Sequence, residues 1–113
     1  MNNKESNKES PSTIIRESFK NKIKNYLLTS TPSLEDLKEE RIFTITPFME
    51  VKILDELVDE IPEIYYGDFL QLLYEFHQES PLLEGEQLLK KLQKKSKWRT
   101  RRIIYRYKKK LRL

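Results

Sequence analysis

Apolar residues recur along the chain at helical spacing, broken by short polar stretches that carry proline or glycine. The first run holds Ile15, Phe19, Ile23 and Leu27, one every fourth residue, which places one apolar stripe on a helix. This predicts a helix over 13–28, with Ser12 or Thr13 as its N-cap. The segment TSTPSLEDLKEE predicts a short second helix, with Thr31 as the cap, Pro32 in the first position and acids in the first turn. Residues 41–46, RIFTIT, alternate apolar and polar side chains and are rich in β-branched types. A lone strand has nothing to pair with, so this stretch is expected to be an extended connector.

Thr46-Pro47 repeats the cap-and-proline signal. Val51, Leu54, Leu57, Val58 and Ile61 then lie at helical spacing, with Glu50, Asp55, Glu56, Asp59 and Glu60 assigned to the other side. Pro62 ends this third helix. A fourth is expected over 68–78, apolar nearly all round through Phe69, Leu70, Leu72, Leu73, Tyr74 and Phe76. A helix without a wet face is central to a core or covered by a partner. Phe69, Leu72, Leu73 and Phe76 are therefore the candidate protein interface. Ser80-Pro81 opens another helical turn that Gly85 weakens, and from Glu86 a long helix with a kink near Ser96 can reach Arg112. The expected fold is all-α. It is a small bundle of four to five helices, with a disordered N-terminal tail over 1–12, an acidic helical body over 13–86, and a projecting basic C-terminal helical arm over 87–113.

Composition sharpens this picture in three places. The segment 1–12 has Met1 as its only apolar residue, too little to offset the entropy of ordering. The remaining hundred or so residues suit one domain of marginal stability. The net charge of +4 conceals three blocks. Residues 1–34 carry +3; residues 35–86 carry fifteen acids against three Lys/Arg, net −12; residues 87–113 carry thirteen Lys/Arg and no acid. The absence of cysteine excludes disulfides and thiolate sites. With a polar N-terminus and apolar runs of two or three residues, the expected location is the cytoplasm or nucleus.

Few residues suggest catalysis. His77 is the only histidine, and neither glycine sits in a phosphate-cradling pattern. His77 reads best as the polar end of a core helix. Asp55, Glu56, Asp59 and Glu60 form two i,i+4 acid pairs, a spacing that can contribute to magnesium binding but needs further ligands from elsewhere. They read better as a solvated face, or as acids that meet the chain's own basic arm or a basic partner. No cofactor, metal or small-molecule substrate is expected, and the chain reads as non-catalytic.

The arm, LLKKLQKKSKWRTRRIIYRYKKKLRL, is the most informative stretch. At 100° per residue Ile103, Ile104, Tyr107 and Leu111 share one face, while Trp98, Arg102, Tyr105, Lys109 and Arg112 share the opposite one. Two amphipathic rings inside a cationic stripe suit nucleic acid, since cations neutralise phosphates and rings stack on exposed bases. The candidate nucleic-acid-binding residues are Lys94, Lys95, Lys97, Trp98, Arg99, Arg101, Arg102, Tyr105, Arg106, Lys109 and Arg112. An acidic protein, the chain's own acidic body, and an anionic membrane surface are the competing ligands, and a merely solubilising tail is the plainest reading.

Two stretches also resemble known helical domains. Pro62, Tyr66 and FLQLLYEF (Phe69 to Phe76) resemble the second-helix region of paired amphipathic helix domains, which implies a four-helix bundle gripping a repressor's helix. ELVDEIPEI (Glu56 to Ile64) with LLKKL (Leu88 to Leu92) is similar to ubiquitin-binding CUE domains, which implies three helices. Each covers about a third of the chain, the two imply different folds, and no residue role is carried over from either. The function expected is that of a regulatory or assembly factor that contacts nucleic acid or a ribonucleoprotein through its basic helix, and a protein through its body. The alternative is an adaptor whose arm meets an acidic protein or membrane.

Overall fold

The structure, a computed structural model, describes residues 11–112. These form six α-helices: α1 (Pro11–Thr29), α2 (Leu34–Thr44), α3 (Pro47–Glu60), α4 (Tyr66–Glu79), α5 (Gly85–Lys95) and α6 (Trp98–Leu111), with a single 3₁₀ turn at Glu63–Tyr65 before α4. No strand occurs among the described residues. The fold is an all-α bundle with more helices than the four or five expected, because the C-terminal stretch forms two. Pro11 and Ser12, assigned from the sequence to the tail, are helical and belong to α1. The rest of the expected tail lies outside the described residues.

Side-chain caps fix the starts of α2 and α3. Thr46 accepts a hydrogen bond from the Met49 amide at 3.2 Å, with Pro47 opening α3 as expected. Helix α2 starts later than its proline suggested. Its cap is Ser33, which accepts from the Asp36 amide at 3.2 Å, and the Ser33-Leu-Glu-Asp36 spacing is that of a capping box. Residues 41–44 are helical rather than extended, which corrects the reading of RIFTIT; only Ile45 and Thr46 have extended backbone. The β-propensity of this stretch is overridden by packing, for Leu37 and Arg41, one turn apart, form the buried stripe of α2.

The core is one cluster. Phe19 and Ile23 of α1 meet Leu37 of α2, Ile53, Leu54, Leu57 and Val58 of α3, and Phe69, Leu70, Leu72, Leu73 and Phe76 of α4. Phe19 stacks on Phe76 with ring centroids 6.2 Å apart. The C-terminal stretch joins the same cluster through Leu88, Leu89 and Leu92 of α5 and Ile104 and Leu111 of α6. It is therefore not a projecting arm. It breaks at Ser96, whose backbone is extended, and α6 folds back to pack along α4. There Tyr107 meets Tyr74 edge-on at 6.5 Å and donates a hydrogen bond to Gln71 Oε1 at 2.7 Å.

Glu50, assigned from the sequence to the wet side of α3, is instead buried, 4% exposed, and paired with the equally buried Arg41. Arg41 also donates to the Phe76 carbonyl at 2.6 Å and to the Ser80 carbonyl, closing the C-terminal end of α4. A buried ion pair survives when further hydrogen bonds satisfy the charges, and these carbonyls supply them.

Candidate nucleic-acid interface

The residues expected to bind a protein partner lie out of a partner's reach. Phe69, Leu72, Leu73 and Phe76 are at most 1% exposed and covered by the chain's own helices. The choice between core and partner falls to core, because α4 is enclosed by the cluster that the other helices share, with Phe19 of α1 and Arg41 of α2 on Phe76 and α6 packed along the helix.

The acids of α3 are largely neutralised within the molecule. Glu56 and Glu60 face α1, where Lys20 Nζ lies 3.1 Å from Glu56 and 2.9 Å from Glu60, and Lys24 also pairs with Glu60. Asp55 and Asp59 face α5, with Lys91 Nζ 3.0 and 2.9 Å from them and Lys95 Nζ 3.1 Å from Asp59. Hydrogen bonds from Lys91 and Lys95 hold the Asp59 carboxyl below its ordinary pKa, and those from Lys24 and Lys20 do the same for Glu60. Burial works against the charge on Lys91, yet its bonds to Asp59 and Asp55 raise its pKa. Asp55 and Asp59 thus meet the chain's own basic C-terminal segment, while Glu56 and Glu60 meet the lysines of α1. Among the described residues no group of His, Asp and Glu side chains could hold a metal ion. His77 Nδ1 accepts a hydrogen bond from the Leu82 amide at 3.3 Å, a loop contact.

What α3 leaves unpaired lies on the other side of α5 and on the outer face of α6. The i,i+4 geometry splits the lysines of α5 into two sets. Lys91 and Lys95 reach α3, while Lys90 and Lys94 pair with no acid among the described residues and line a groove of about 640 Å³ with Gln87, Lys91, Gln93 and Arg101. A second depression, about 560 Å³, shares Gln93 and Arg101 and adds Arg102, Tyr105 and Arg106. Arg101 ties the two helices together, donating from Nε to the Gln93 carbonyl at 3.0 Å. Among the described residues no acid lies within ion-pair distance of Lys90, Lys94, Arg99, Arg101, Arg102, Arg106 or Lys109.

Helix α6 turns the face that the periodicity assigned outward. Ile104 and Leu111 are buried and Tyr107 half-buried, while Trp98 and Tyr105 are 62% and 55% exposed; Ile103, expected on the buried face, is exposed instead. Arg99 and Arg102 lie over the Trp98 ring at 5.5 and 5.8 Å from its centroid, and Lys109 lies 4.8 Å from that of Tyr105. The start of α6 is held by a residue distant in sequence. Glu63 accepts from the Lys97 amide and the Thr100 hydroxyl, both at 2.8 Å, so a carboxylate sits at the positive end of the helix dipole. The Lys97 amide and the Thr100 hydroxyl lower the Glu63 pKa.

Of the residues named from the sequence, Lys94, Arg101, Arg102, Tyr105 and Arg106 line the adjoining depressions, and Trp98, Arg99 and Lys109 surround the exposed rings. Lys95 does not join them, because it is engaged with Asp59. Lys97 contributes its backbone amide to Glu63, and Arg112 ends α6 in a left-handed conformation at φ 58°. Lys90, Gln87 and Gln93 were missed; the i,i+4 spacing of Lys90 to Lys94 and the i,i+3 spacing of Gln87 to Lys90 carry the signal. Compared with family models, curated proteins and solved structures, the chain has no significant match, so its functional reading rests on this surface alone.

Proposed function

We propose that the chain is a non-catalytic binding protein whose α5–α6 face takes nucleic acid, free or in a ribonucleoprotein, by neutralising backbone phosphates. The observation that carries this reading is the pair of adjoining depressions lined by Lys90, Lys94, Arg101, Arg102 and Arg106, cations with no acid within ion-pair distance among the described residues. Phosphate contacts of this kind position a protein on a polyanion without reading sequence. The membrane alternative is weaker on a specific point. An interfacial helix buries its apolar face in lipid, and Ile104 and Leu111, the buried apolar residues of α6, are spent on the chain's own core.

Titrating labelled oligonucleotides at several salt concentrations tests the proposal. Affinity should fall log-linearly with salt, with a slope set by the number of phosphates engaged. Changing Arg101, Arg102 and Arg106 together to Gln should reduce the magnitude of that slope by about 2–3 and weaken all sequences alike. An absence of binding at low salt sinks the proposal.

A further inference from the structure

The same face carries two features that phosphate neutralisation does not use. Trp98 and Tyr105 are seven residues apart on α6, which places them within about 20° of each other around the helix and about 10 Å apart along it. Neither ring belongs to the core cluster, whereas Tyr66, Tyr74 and Tyr107 all pack on it or within it. One exposed ring on a helix would carry no argument. Two in register, each capped by a cation of the binding face, form a repeated unit of ring plus charge.

We propose that this surface selects single-stranded nucleic acid, with Trp98 and Tyr105 as two stacking platforms for unpaired bases and Arg102 and Lys109 as their phosphate partners; this rests on reading the face as a nucleic-acid interface. Phosphates draw Arg99 and Arg102 off the Trp98 ring and Lys109 off the Tyr105 ring, and bases take the vacated faces. The exchange is favourable, because a cation over an exposed ring is held more weakly than a stacked base. In a duplex the base faces are already stacked on each other. The rings would then meet only sugar and phosphate unless the duplex were opened at a cost. Every base has a π-face, so the platforms confer strand selectivity without sequence specificity.

Trp98 is the only tryptophan, so its emission reports directly on this surface. The full chain is titrated with a mixed-sequence single-stranded oligonucleotide, with its duplex, and with phosphatidylserine vesicles, following labelled-ligand anisotropy and Trp98 emission together. The single strand should bind more tightly than the duplex and quench Trp98, while the duplex should not quench it. Trp98→Ala and Tyr105→Ala should each weaken single-strand binding roughly 5- to 140-fold, leaving duplex affinity and the salt slope nearly unchanged. Trp98→Phe, which keeps a ring, should retain most of the affinity. Equal binding of both forms without quenching overturns the strand selectivity and leaves the phosphate reading intact. Failure of both to bind removes the phosphate reading and this inference with it. Tighter binding to vesicles, with a blue shift of Trp98, overturns both in favour of a membrane surface.

Discussion

Arg41 and Glu50 show how far one residue's environment can depart from its type. Both belong to charged classes that rarely lie inside a protein unpaired, yet both are nearly inaccessible here. Arg41 ties α2 to two other helices, through Glu50 on α3 and the Phe76 and Ser80 carbonyls at the end of α4. Its guanidinium also lies 4.9 Å from the Phe76 ring centroid. Glu50→Leu should leave that charge buried without its partner and cost about 3–5 kcal/mol in urea denaturation. Arg41→Met combined with Glu50→Leu should recover part of the loss, because no charge remains stranded. Recovery should be incomplete, since the Ser80 carbonyl loses its donor. A double variant no more stable than Glu50→Leu would show that the pair is not buried in solution.

At the scale of elements, α5 and α6 owe their roles to a break and a cap. Without the extended backbone at Ser96 the basic segment would run as one helix away from the body, and Ile104 and Leu111 would face water. The cap that starts α6 comes from Glu63, in the turn before α4, so the helix is fastened at the element it packs beside. Glu63→Ala should speed amide hydrogen exchange at Lys97 and loosen the first turn of α6, with little effect on α1 to α3. An unchanged Lys97 exchange rate would mean that this cap is not formed.

For the whole molecule, charge segregation along the chain becomes charge pairing in space. The acidic middle is answered by lysines from both ends, Lys20 and Lys24 on one side of α3 and Lys91 and Lys95 on the other. The pH profile of stability follows from the direction of each shift. Asp59, Glu60 and Glu63 are held below their ordinary values of 3.8, 4.5 and 4.5. Their contribution is present above those values and is lost as pH falls through the depressed ones. Lys20, Lys38 and Lys91 are held above their ordinary 10.5, so their contribution is present below it and is lost as pH rises through the raised values. For Lys20, burial opposes the charge, and hydrogen bonds to Glu60, Glu56 and Glu17 outweigh it. Denaturation midpoints should therefore be nearly flat between about pH 5 and 9 and fall on both sides. A midpoint that rose on acidification below pH 4 would contradict the pairing.

Local periodicity alone determined the helices α1, α3 and α4, the stop at Pro62, and the wet side of α6 that carries Trp98 and Tyr105, because 3.6 residues per turn is a property of neighbours in the chain; Ile103, assigned to the dry side, is exposed. The concentration of cations at the C-terminal end was equally legible, since charge needs no fold to be counted. The extension of α2 through residues 41–44 was not, for the buried stripe of Leu37 and Arg41 overrides β-propensity only once α3 and α4 are in place. Nor was the covering of α4, which reads alike whether its own chain or a partner buries it. Lys90 and Lys94 are the same residue type as Lys91 and Lys95, at the same spacing. Only the arrival of α3 beside α5 neutralises Lys91 and Lys95 and leaves Lys90 and Lys94 without an acid within reach among the described residues. Those partners are more than thirty residues apart in the chain, and which helix faces meet across that distance is decided by packing of the common core rather than by any local pattern.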